Sequence, residues 1–328
     1  MMGNVGIVGL GSYVPDKVVT NFDLEKFLDT SDEWIRTRTG IIERRFADDS
    51  QTTSDLAAIA AKRAIEDAGI SPEDIGLIIV GTNSPDMRYP ATACLVQDKI
   101  GAKNAAAFDL QAGCPGWIYA TTVGAQFVKT GMYKYVLTIG AEVITRMMDR
   151  TDRYTYVLFG DGAGATILGN VEEGGFKSFE LYADGSLAEH LTLPAGGSKM
   201  PFSKEVLEKR LHYTRMNGKE VFKFSVREIG RISKNVINKA GLTPEDIRWF
   251  IPHQANLRII DAGMKRLGIP KEKVVVTIDK YGNSSAASIP VALDEIYRAG
   301  KIKKGDHILM VSFGAGMTSG AFIVEWSK

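Results

Sequence analysis

An internal repeat is the feature that most constrains how this chain can fold. Residues 65–81 (IEDAGISPEDIGLIIVG) align with residues 237–253 (INKAGLTPEDIRWFIPH) at a constant offset of 172 positions, and both contain the pattern A-G-[IL]-[ST]-P-E-D-I. Each copy is typical of a helix that stops at glycine, a proline turn and a following strand. A second match, at an offset of 169, pairs Gly113-Cys114 with Gly282-Asn283. The repeat therefore predicts two similar halves related by a pseudo-twofold axis.

The repeat also predicts where reactive side chains meet. Cys114 and Asn283 occupy equivalent helix starts, and His253 ends the strand equivalent to residues 77–80. In open α/β sheets, functional groups gather in a crevice at the carboxyl ends of the strands. We therefore expect Cys114, His253 and Asn283 to come together from distant parts of the chain.

Predicted strands and helices alternate in both halves, which favours an α/β fold with largely parallel inner strands. We expect two domains, residues 1–171 with the cysteine and residues 172–328 with the histidine and asparagine, and a polar, basic surface insertion around residues 196–215. The predicted strands lie at residues 5–9, 77–80, 105–110, 135–139, 155–159, 164–168, 249–252, 274–278, 307–313 and 321–326. The predicted helices lie at residues 21–28, 31–38, 53–68, 92–99, 115–129, 220–240, 257–267 and 286–298.

The composition excludes several classes of protein. The 328 residues carry a formal net charge of +1, which gives no reason to expect nucleic acid or an anionic membrane as a partner. Two cysteines make no disulfide framework and fit a reducing compartment, and we expect one of them, Cys94, to lie in the core. The first residues lack the basic region of a signal peptide, and no window approaches the roughly 18–20 apolar residues that span a bilayer. We expect a soluble cytoplasmic protein with no membrane partner.

Cys114 lies where a turn of small residues becomes a helix. An apolar run at residues 105–110 leads into the turn, and Pro115 suits the first helical position because its missing N–H has no intrahelical partner there. The positive end of the helix dipole favours thiolate over thiol, and the thiolate is the nucleophile. A buried structural cysteine is the alternative, and the repeat, which places His253 and Asn283 opposite Cys114, favours the catalytic interpretation.

Two mechanisms are open to a cysteine, a histidine and an asparagine. Taken alone, His253 is typical of a core histidine and Asn283 of a helix cap. In a hydrolase-like arrangement, the asparagine orients the histidine as a general base. In an acyl-cysteine enzyme, both donate hydrogen bonds to a thioester carbonyl as it becomes an enolate, a role that suits an amide N–H₂ group. The glycine-rich turn at residues 313–316 offers a backbone N–H that, with that of Cys114, would form an oxyanion hole.

Nucleotide and metal sites are not expected. The glycines of residues 160–165 (GDGAGA) and of Gly9-Leu-Gly11 do not match the spacing of a dinucleotide-binding loop, and a β-type run follows the first of them. The four histidines show no ligand spacing with cysteines or carboxylates. We expect no bound metal and no permanently bound cofactor.

Several long motifs are spread along almost the whole chain. They are TSDEWIRTRTGI (residues 30–41), the Cys114 turn, LFGDGAGA (158–165), PHQANLRII (252–260), YGNSSAASIP (281–290) and FGAGMTSGA (313–321). Together they resemble the β-ketoacyl-acyl carrier protein synthase III family of condensing enzymes. The resemblance implies a thiolase-like fold, in which two pseudo-twofold-related βαβαβ halves form a five-layer α-β-α-β-α sandwich.

The resemblance implies a decarboxylative Claisen condensation that initiates type II fatty acid synthesis. Cys114 would take a short acyl group, such as acetyl, from acyl-CoA, so that coenzyme A enters as part of a substrate. His253 and Asn283 would bind the thioester oxygen of malonyl-acyl carrier protein and stabilise the enolate that decarboxylation releases. Backbone N–H groups of Cys114 and Ala315 would form the oxyanion hole. The products would be a β-ketoacyl-acyl carrier protein, CO₂ and free CoA.

The resemblance also assigns binding residues and implies a homodimer. Coenzyme A would be held by Thr30, Trp34, Arg38, Arg153 and Asn256. A local basic patch can steer an acidic carrier protein even at a low net charge, and the patch would comprise Lys223, Arg258, Lys265 and Arg266. The acyl pocket would include Phe222, and Tyr89 would reach across the dimer to close the pocket of the other subunit.

Several residues depart from the family pattern. The nucleophile turn reads A-G-C-P-G where A-A-C-[AS]-G is common, so we expect Gly113 to loosen the turn and Pro115 to remove one N–H from the helix start. Ala315 stands where glycine is usual, and Ser319 stands where tryptophan is usual. Tyr89 stands where phenylalanine is usual, and its larger side chain favours a short acyl chain. Two alternatives stay open: a related synthase of specialised, polyketide-type metabolism with another starter or acceptor, and a non-condensing acyl-binding paralogue.

Overall fold

Two β-sheets carry most of the strands. The computed structural model describes residues 4–328. The strands are β1 (Asn4–Tyr13), β2 (Val18–Thr20), β3 (Glu43–Arg45), β4 (Ile75–Gly81), β5 (Ala106–Leu110), β6 (Tyr135–Glu142), β7 (Gly162–Val171), β8 (Gly175–Ala183), β9 (Leu191–Thr192), β10 (Arg215–Met216), β11 (Ile247–Pro252), β12 (His307–Gly314) and β13 (Thr318–Glu325). The α-helices are α1 (Asn21–Glu25), α2 (Asp32–Thr39), α3 (Thr53–Ala68), α4 (Thr92–Ile100), α5 (Gly116–Lys129), α6 (Lys204–Glu208), α7 (Gly218–Lys239), α8 (Leu257–Leu267), α9 (Ile278–Tyr281) and α10 (Ser288–Arg298).

The two sheets share a strand order and pairing directions. The first runs β1-β7-β6-β4-β5, and the second runs β8-β13-β12-β11, with Val274 adding one parallel bridge to Phe250 of β11 where β5 stands in the first sheet. β4 and β6 are parallel, as are β11 and β12, whereas β6–β7–β1 and β12–β13–β8 pair antiparallel. The first sheet lies within residues 4–171 and the second within residues 175–325. The repeat predicted this correspondence, and the domain boundary at residue 171 stays a prediction.

Five layers result from the way the helices cover the sheets. α5 contacts β4 and β6 on one side and β12 and β13 on the other, and α10 contacts β7 and β11, so both helices lie between the sheets. α3 and α4 pack on the outer face of the first sheet, and α7 and α8 pack on the outer face of the second. The layer order is therefore α-β-α-β-α, and the predicted α/β fold class is confirmed.

The inner strands and helices are apolar on all sides because other layers cover both of their faces. In β4, every residue except Gly76 is buried. Trp117 of α5 packs with Leu293 of α10 and Phe322 of β13 in the core between the sheets. Among residues 4–328, no helix is both long and apolar enough to cross a membrane.

The repeated A-G-[IL]-[ST]-P-E-D-I pattern forms the same turn twice. Gly69 and Gly241 follow the last residues of two long helices, with φ values of 65° and 69°. A hydroxyl residue, Ser71 or Thr243, then closes a capping box with an aspartate three positions later and starts a 3₁₀ turn. β4 and β11 begin directly after these turns. The predicted sequence of helix, glycine stop, proline turn and strand is confirmed in both halves.

The strand predicted at residues 274–278 was wrong. Only Val274 makes a β-bridge, and α9 begins four residues later. The reason is a side chain from another segment: Gln254 Oε1 accepts hydrogen bonds from the backbone N–H groups of Thr277 and Ile278, at 2.8 and 3.2 Å. These N–H groups are therefore not available to a neighbouring strand.

Two further local predictions were wrong. Residues 155–158 form turns rather than a strand, and only Phe159 makes a β-bridge. The carbonyl of Val157 accepts a hydrogen bond from the buried Arg44 guanidinium at 2.8 Å. Cys94 is exposed rather than in the core, because α4 turns its opposite face to the first sheet. Both outcomes depend on contacts between segments that are far apart in sequence.

The segment predicted as a surface insertion, residues 196–215, contacts the first half of the chain. It contains α6 and leads into β10, which pairs with β9. Arg210 forms an ion pair with Asp149, and the backbone N–H of Thr214 donates to the carbonyl of Met147 at 2.9 Å. Its description as an insertion stays a prediction.

We predict that Gly140→Ala destabilises the protein. Gly140 lies where β6 meets the turn before α10, and an added Cβ would lie 2.1 Å from the carbonyl oxygen of Ala286, so the backbone would have to move. Overpacking of this kind costs about 1–3 kcal/mol of unfolding free energy, which urea denaturation measures. Gly185→Ala is the matched control, because no atom lies within 4 Å of its added Cβ. Equal unfolding free energies for the two variants would contradict the close packing of β6 on this turn.

Candidate active site

Cys114 lies where two cavities meet. A wide cavity of about 530 Å³ has Cys114, His253 and Asn283 in its wall. A narrow cavity of about 140 Å³ also has Cys114 in its wall. Apolar side chains form much of the narrow cavity, namely Ile144, Met147, Met148, Phe159, Leu191 and Leu193. The structure thus brings together the three side chains that the repeat predicted.

Two glycines let backbone turns approach each other at Cys114. Gly113 has a φ of 65°, and a Cβ there would lie 2.6 Å from the carbonyl oxygen of Ala315. A Cβ on Gly314 would lie 2.6 Å from the backbone nitrogen of Cys114 and 3.0 Å from its Sγ. The expectation that Gly113 loosens the turn was wrong, because its missing side chain permits close contact with the turn of Ala315.

Burial dominates the ionisation of Cys114. Desolvation raises the pKa of its thiol to about 12; a hydrogen bond with Ser285 opposes this shift, and the Glu142 carboxylate adds to it. α5 begins at Gly116 with Pro115 as its N-cap, so Cys114 lies before the helix and Pro115 is not its first helical residue. Cys114 is a half-buried residue in the cavity wall, and desolvation of its thiol opposes the predicted thiolate.

His253 is buried and neutral. Its backbone N–H donates to the carbonyl of Val311, and desolvation lowers the pKa of its ring to about 3. Nδ1 lies 2.7 Å from the hydroxyl of Ser288. Because that hydroxyl accepts a hydrogen bond from the backbone N–H of Gln254, its own hydrogen is available to Nδ1, and we assign the ring proton to Nε2. Such a ring donates a hydrogen bond well and is a weak base.

Asn283 presents its amide N–H₂ group to the wide cavity. Its backbone is anchored by a hydrogen bond from its N–H to the carbonyl of Leu158 at 2.9 Å and by a bridge with Phe159. Its Oδ1 accepts a hydrogen bond from the backbone N–H of Ser285 at 2.9 Å. Because this oxygen is engaged within the turn, Nδ2 is the end of the amide that is left for the cavity.

Ala315 lies beside Cys114 as the oxyanion-hole prediction requires. Ala315 is in the wall of the narrow cavity, and its carbonyl accepts a hydrogen bond from the hydroxyl of Thr318 at 2.8 Å. Its φ is not positive, so its methyl group is compatible with the turn where the family usually has glycine. The use of its N–H as an oxyanion donor stays a prediction.

Most residues predicted to hold coenzyme A lie at the wide cavity. Trp34, Arg38 and Asn256 are part of its wall, whereas Thr30 and Arg153 are not. Asn256 caps α8, and its Nδ2 donates to the carbonyl of Arg38 at 3.0 Å, which ties α8 to α2. The Arg153 guanidinium lies over the Trp34 ring, 4.5 Å from its centroid. If the adenine ring of coenzyme A binds between these two side chains, it therefore has to displace the guanidinium from the Trp34 ring.

The two residues predicted for the acyl pocket do not line the narrow cavity. Phe222 lies in the wall of the wide cavity, where the Arg258 guanidinium lies 5.6 Å from the centroid of its ring. Tyr89 is 85% exposed, in the loop before α4. The side chains around the narrow cavity come instead from the segments after β6 and around β9.

The four basic residues predicted to receive a carrier protein are all exposed. Lys223 lies on α7, and Arg258, Lys265 and Arg266 lie on α8, which packs against α7. Lys219, which no sequence motif indicated, is also exposed and lines the wide cavity together with Arg258. The positive charge of α7 and α8 thus extends to the mouth of the wide cavity.

A buried carboxylate near Cys114 was missed in the sequence. The Glu142 carboxylate accepts a hydrogen bond from Asn83 Nδ2 at 2.8 Å, and the same Nδ2 lies 3.1 Å from the hydroxyl of Ser285. The repeat held a signal for it, because the offset of 172 makes Glu142 equivalent to Gly314, the residue that touches Cys114.

Ser319, at the position where the family usually has tryptophan, is buried away from both cavities. Its hydroxyl lies 3.2 Å from Oε2 of Glu228, which also pairs with Arg231 at 2.7 Å and Arg227 at 3.1 Å. Ser319 therefore belongs to a buried polar network between β13 and α7 and does not contact the reacting groups.

Known proteins are similar to this chain in sequence and in fold over nearly its whole length. Residues 108–185 match the family described as 3-oxoacyl-[acyl-carrier-protein (ACP)] synthase III, and residues 237–326 match its C-terminal model. A β-ketoacyl-[acyl-carrier-protein] synthase III of Caldanaerobacter subterraneus subsp. tengcongensis is 57% identical over 324 residues, which is 98% of each chain.

Solved structures agree with this assignment. The β-ketoacyl-[acyl carrier protein] synthase III of Thermus thermophilus is 50% identical with a TM-score of 0.91, over 98% of this chain and 99% of that one. The priming β-ketosynthase of the R1128 polyketide pathway is 34% identical with a TM-score of 0.92, over 98% of this chain and 96% of that one. The thiolase-like fold is confirmed, and the chain belongs to the 3-oxoacyl-[acyl-carrier-protein] synthase III family of condensing enzymes.

Proposed function

We propose that this protein condenses a short-chain acyl-CoA, such as acetyl-CoA, with malonyl-acyl carrier protein and thereby initiates type II fatty acid synthesis. The products are a β-ketoacyl-acyl carrier protein, CO₂ and CoA. The observation that carries the proposal is the position of Cys114, at the junction of the two cavities, with two neutral hydrogen-bond donors, His253 and Asn283, in the same wall.

In the first half-reaction, Sγ of Cys114 attacks the carbonyl carbon of the acyl-CoA thioester. The new S–C bond turns the carbonyl oxygen into an oxyanion, which the backbone N–H groups of Cys114 and Ala315 stabilise. Collapse of this intermediate expels CoA and leaves the acyl group on Cys114. Because burial raises the pKa of the thiol to about 12, the thiol has to lose its proton during this step.

In the second half-reaction, the malonyl thioester loses CO₂ and its C–C electron pair forms an enolate. Nε2–H of His253 and Nδ2–H of Asn283 donate hydrogen bonds to the enolate oxygen, and these bonds are strong because both side chains are buried. The enolate carbon then attacks the acyl carbon on Cys114 and releases the sulfur. The hydrolase-like alternative fits less well, because a histidine whose pKa is lowered to about 3 is a poor general base.

The two cavities have the shapes that these substrates need. The narrow cavity, about 140 Å³, corresponds to roughly four or five water molecules at about 30 Å³ each, which supports a short acyl group. We assign the acyl chain to this cavity. The wide cavity takes the arm of coenzyme A or of the carrier protein, with Trp34, Arg38, Arg153 and Asn256 binding coenzyme A. The exposed cations of α7 and α8 attract the acidic carrier protein.

We further propose that the protein works as a homodimer in the cytoplasm. β5 is an edge strand of the first sheet, and Phe108 on it is exposed, so this edge is open to pairing. The loop that carries the exposed Tyr89 leads into α4, beside this edge, from which Tyr89 can reach the acyl pocket of the other subunit. Neither cysteine is in a disulfide, which fits a reducing compartment.

The two alternatives have less support. The polyketide priming synthase is 34% identical to this chain, against 57% for the relative named β-ketoacyl-[acyl-carrier-protein] synthase III. A non-condensing acyl-binding protein would have no use for His253 and Asn283 as neutral donors beside the thiol. Fatty acid initiation is therefore the function that the site supports best.

We predict that substitutions at the site separate the two half-reactions. Cys114→Ala should abolish transfer of radiolabelled acetyl from acetyl-CoA to the protein, because the nucleophile is lost. His253→Ala and Asn283→Ala should retain this labelling and lower formation of β-ketoacyl-acyl carrier protein at least about 100-fold, because each removes one donor to the enolate. Scintillation counting of precipitated protein and mass spectrometry of the carrier protein measure the two steps.

Cys94→Ala is the matched control for the labelling experiment, because Cys94 is the other free cysteine and is exposed. It should be labelled like the unaltered protein. A wild-type protein that takes no label would contradict the proposed function. A His253→Ala variant that loses labelling as completely as Cys114→Ala would contradict the division of roles.

We predict that Met148→Ala lengthens the preferred acyl chain. Met148 is buried in the wall of the narrow cavity and also borders a neighbouring cavity of about 340 Å³, so its truncation should join the two spaces. The ratio of kcat/KM for octanoyl-CoA to that for acetyl-CoA should rise at least about tenfold, since each buried methylene contributes about 0.8 kcal/mol. Met132→Ala, at a methionine that is 62% exposed, is the control. An unchanged ratio would show that the acyl chain does not occupy this cavity.

A further inference from the structure

Asn83 joins the two halves of the chain beside the proposed site. It follows β4 of the first half, and its Nδ2 donates one hydrogen bond to Oε1 of Glu142 at 2.8 Å and one to the hydroxyl of Ser285 at 3.1 Å. Ser285 belongs to the second half, 202 positions away, and comes two residues after Asn283. The Asn83 amide therefore uses both of its hydrogens, and one of them holds the turn that carries a proposed enolate donor.

Glu142 fixes the orientation of the Asn83 amide. Glu142 is fully buried, and its carboxylate also accepts hydrogen bonds from the backbone N–H groups of Asn83, at 3.1 Å, and of Ser84, at 3.0 Å. The hydroxyls of Ser84 and Thr82 donate to the same carboxylate. Because a group that receives these N–H donors acts as an acceptor, the Asn83 amide has to face it with Nδ2 rather than with its carbonyl oxygen. The ends of β4 and β6 thus determine where the second N–H of Asn83 points.

Ser285 needs such a hold because its backbone conformation is unfavourable. Its φ is 49°, in the left-handed region that residues other than glycine seldom adopt, and its side chain is buried. The next residue, Ala286, lies against β6, where a Cβ on Gly140 would be 2.1 Å from its carbonyl oxygen. Strained backbone persists only where the surrounding structure fixes it. Here the hydrogen bond from Asn83 and the packing of Ala286 on Gly140 fix it.

The backbone N–H of Ser285 determines which end of the Asn283 amide faces the substrate. It donates to Oδ1 of Asn283 at 2.9 Å, which leaves Nδ2 for the wide cavity. If Ser285 relaxed to an ordinary φ, this N–H would turn away and the amide would be free to rotate. An amide oxygen that faced the enolate would repel its negative charge, whereas Nδ2–H stabilises it. The orientation of Asn283 therefore depends on the conformation of Ser285.

We propose that Asn83 is a positioning residue for the second half-reaction: through the hydroxyl of Ser285, it holds Asn283 in the orientation in which Nδ2–H meets the enolate oxygen. The inference rests on the proposed function, because it takes the enolate as the group that Asn283 receives. Loss of the hydrogen bond from Asn83 should lower the rate of condensation and leave the attack by Cys114 intact. Asn83 also borders the narrow cavity, so its effect on acyl transfer has to be measured separately.

The test is a single-turnover measurement on protein that already carries an acetyl group on Cys114. The acetylated protein is mixed with saturating malonyl-acyl carrier protein, and rapid quench with mass spectrometry of the carrier protein follows product formation. Asn83→Ala should lower this rate about tenfold or more, a part of the roughly 100-fold that loss of a whole donor costs. Its labelling by radiolabelled acetyl-CoA should stay within about threefold of the wild-type rate. Asn104→Ala is the matched control, at an exposed asparagine whose Nδ2 donates to the carbonyl of Glu73, and should behave as the wild type in both measurements.

Two further variants distinguish positioning from general damage to the fold. Ser285→Gly breaks the same hydrogen bond from its other end, and it should reproduce the loss, because glycine tolerates a φ of 49° and is also free to leave it. The double variant Asn83→Ala/Asn283→Ala should condense at the rate of Asn283→Ala alone, because Asn83 acts through Asn283. General damage would slow the double variant further.

Each outcome has a defined meaning. A condensation rate of Asn83→Ala within about twofold of the wild type would overturn this inference and leave the proposed function intact. An equal loss in acetyl labelling would also overturn it, as would a double variant about tenfold slower than Asn283→Ala. A wild-type protein that takes no acetyl label or forms no β-ketoacyl product would overturn the proposed function and this inference with it. Where Asn83→Ala fails to fold, Ser285→Gly, alone and combined with Asn283→Ala, decides in the same way.

Discussion

Desolvation of the reacting groups is the constraint on which the rest of the structure depends. The His253 ring is buried, and the Cys114 thiol is desolvated in the cavity wall although the residue is half-buried; desolvation raises the pKa of the thiol to about 12 and lowers that of the imidazole to about 3. Both groups are therefore neutral at rest. Hydrogen bonds to a charge that develops during the reaction are strongest in such surroundings, because no water competes for it.

The duplicated half supplies this enclosure. Cys114 follows β5 of the first half and Asn283 follows α9 of the second half, at positions that the repeat makes equivalent, and both face one cavity. Glycines at the crossing points let these turns touch: Gly314 lies against Cys114, and Gly140 lies against the turn that carries Ser285. The contacts that pack these layers together therefore also hold the turns of the site in place.

Sequence patterns predicted the parts of this structure that are set locally. Glycine stops, proline turns and apolar runs predicted the helices and strands of the repeated segments, since each depends on a few neighbouring residues. The repeat predicted the equivalence of Cys114 and Asn283, and the five-layer order was implied by the resemblance to the family. They could not predict that Gln254 would capture the N–H groups of Thr277 and Ile278, which removed a predicted strand. They also favoured a thiolate at Cys114, because a helix start is visible in sequence whereas the degree of burial is not. The hydrogen bond from Asn83 Nδ2 to the hydroxyl of Ser285 joins residues that are 202 positions apart, and no sequence motif indicated it.

The protonation state of His253 decides whether the site holds a neutral hydrogen-bond donor. In protein labelled with ¹⁵N at histidine, with the resonance assigned by comparison with His253→Ala, we expect a protonated Nε2 and an unprotonated Nδ1. Because the pKa of the buried ring is lowered to about 3, the shifts should stay constant from pH 8 to pH 5. A His253 that titrates near the ordinary value of about 6.5, or that carries its proton on Nδ1, would contradict the account.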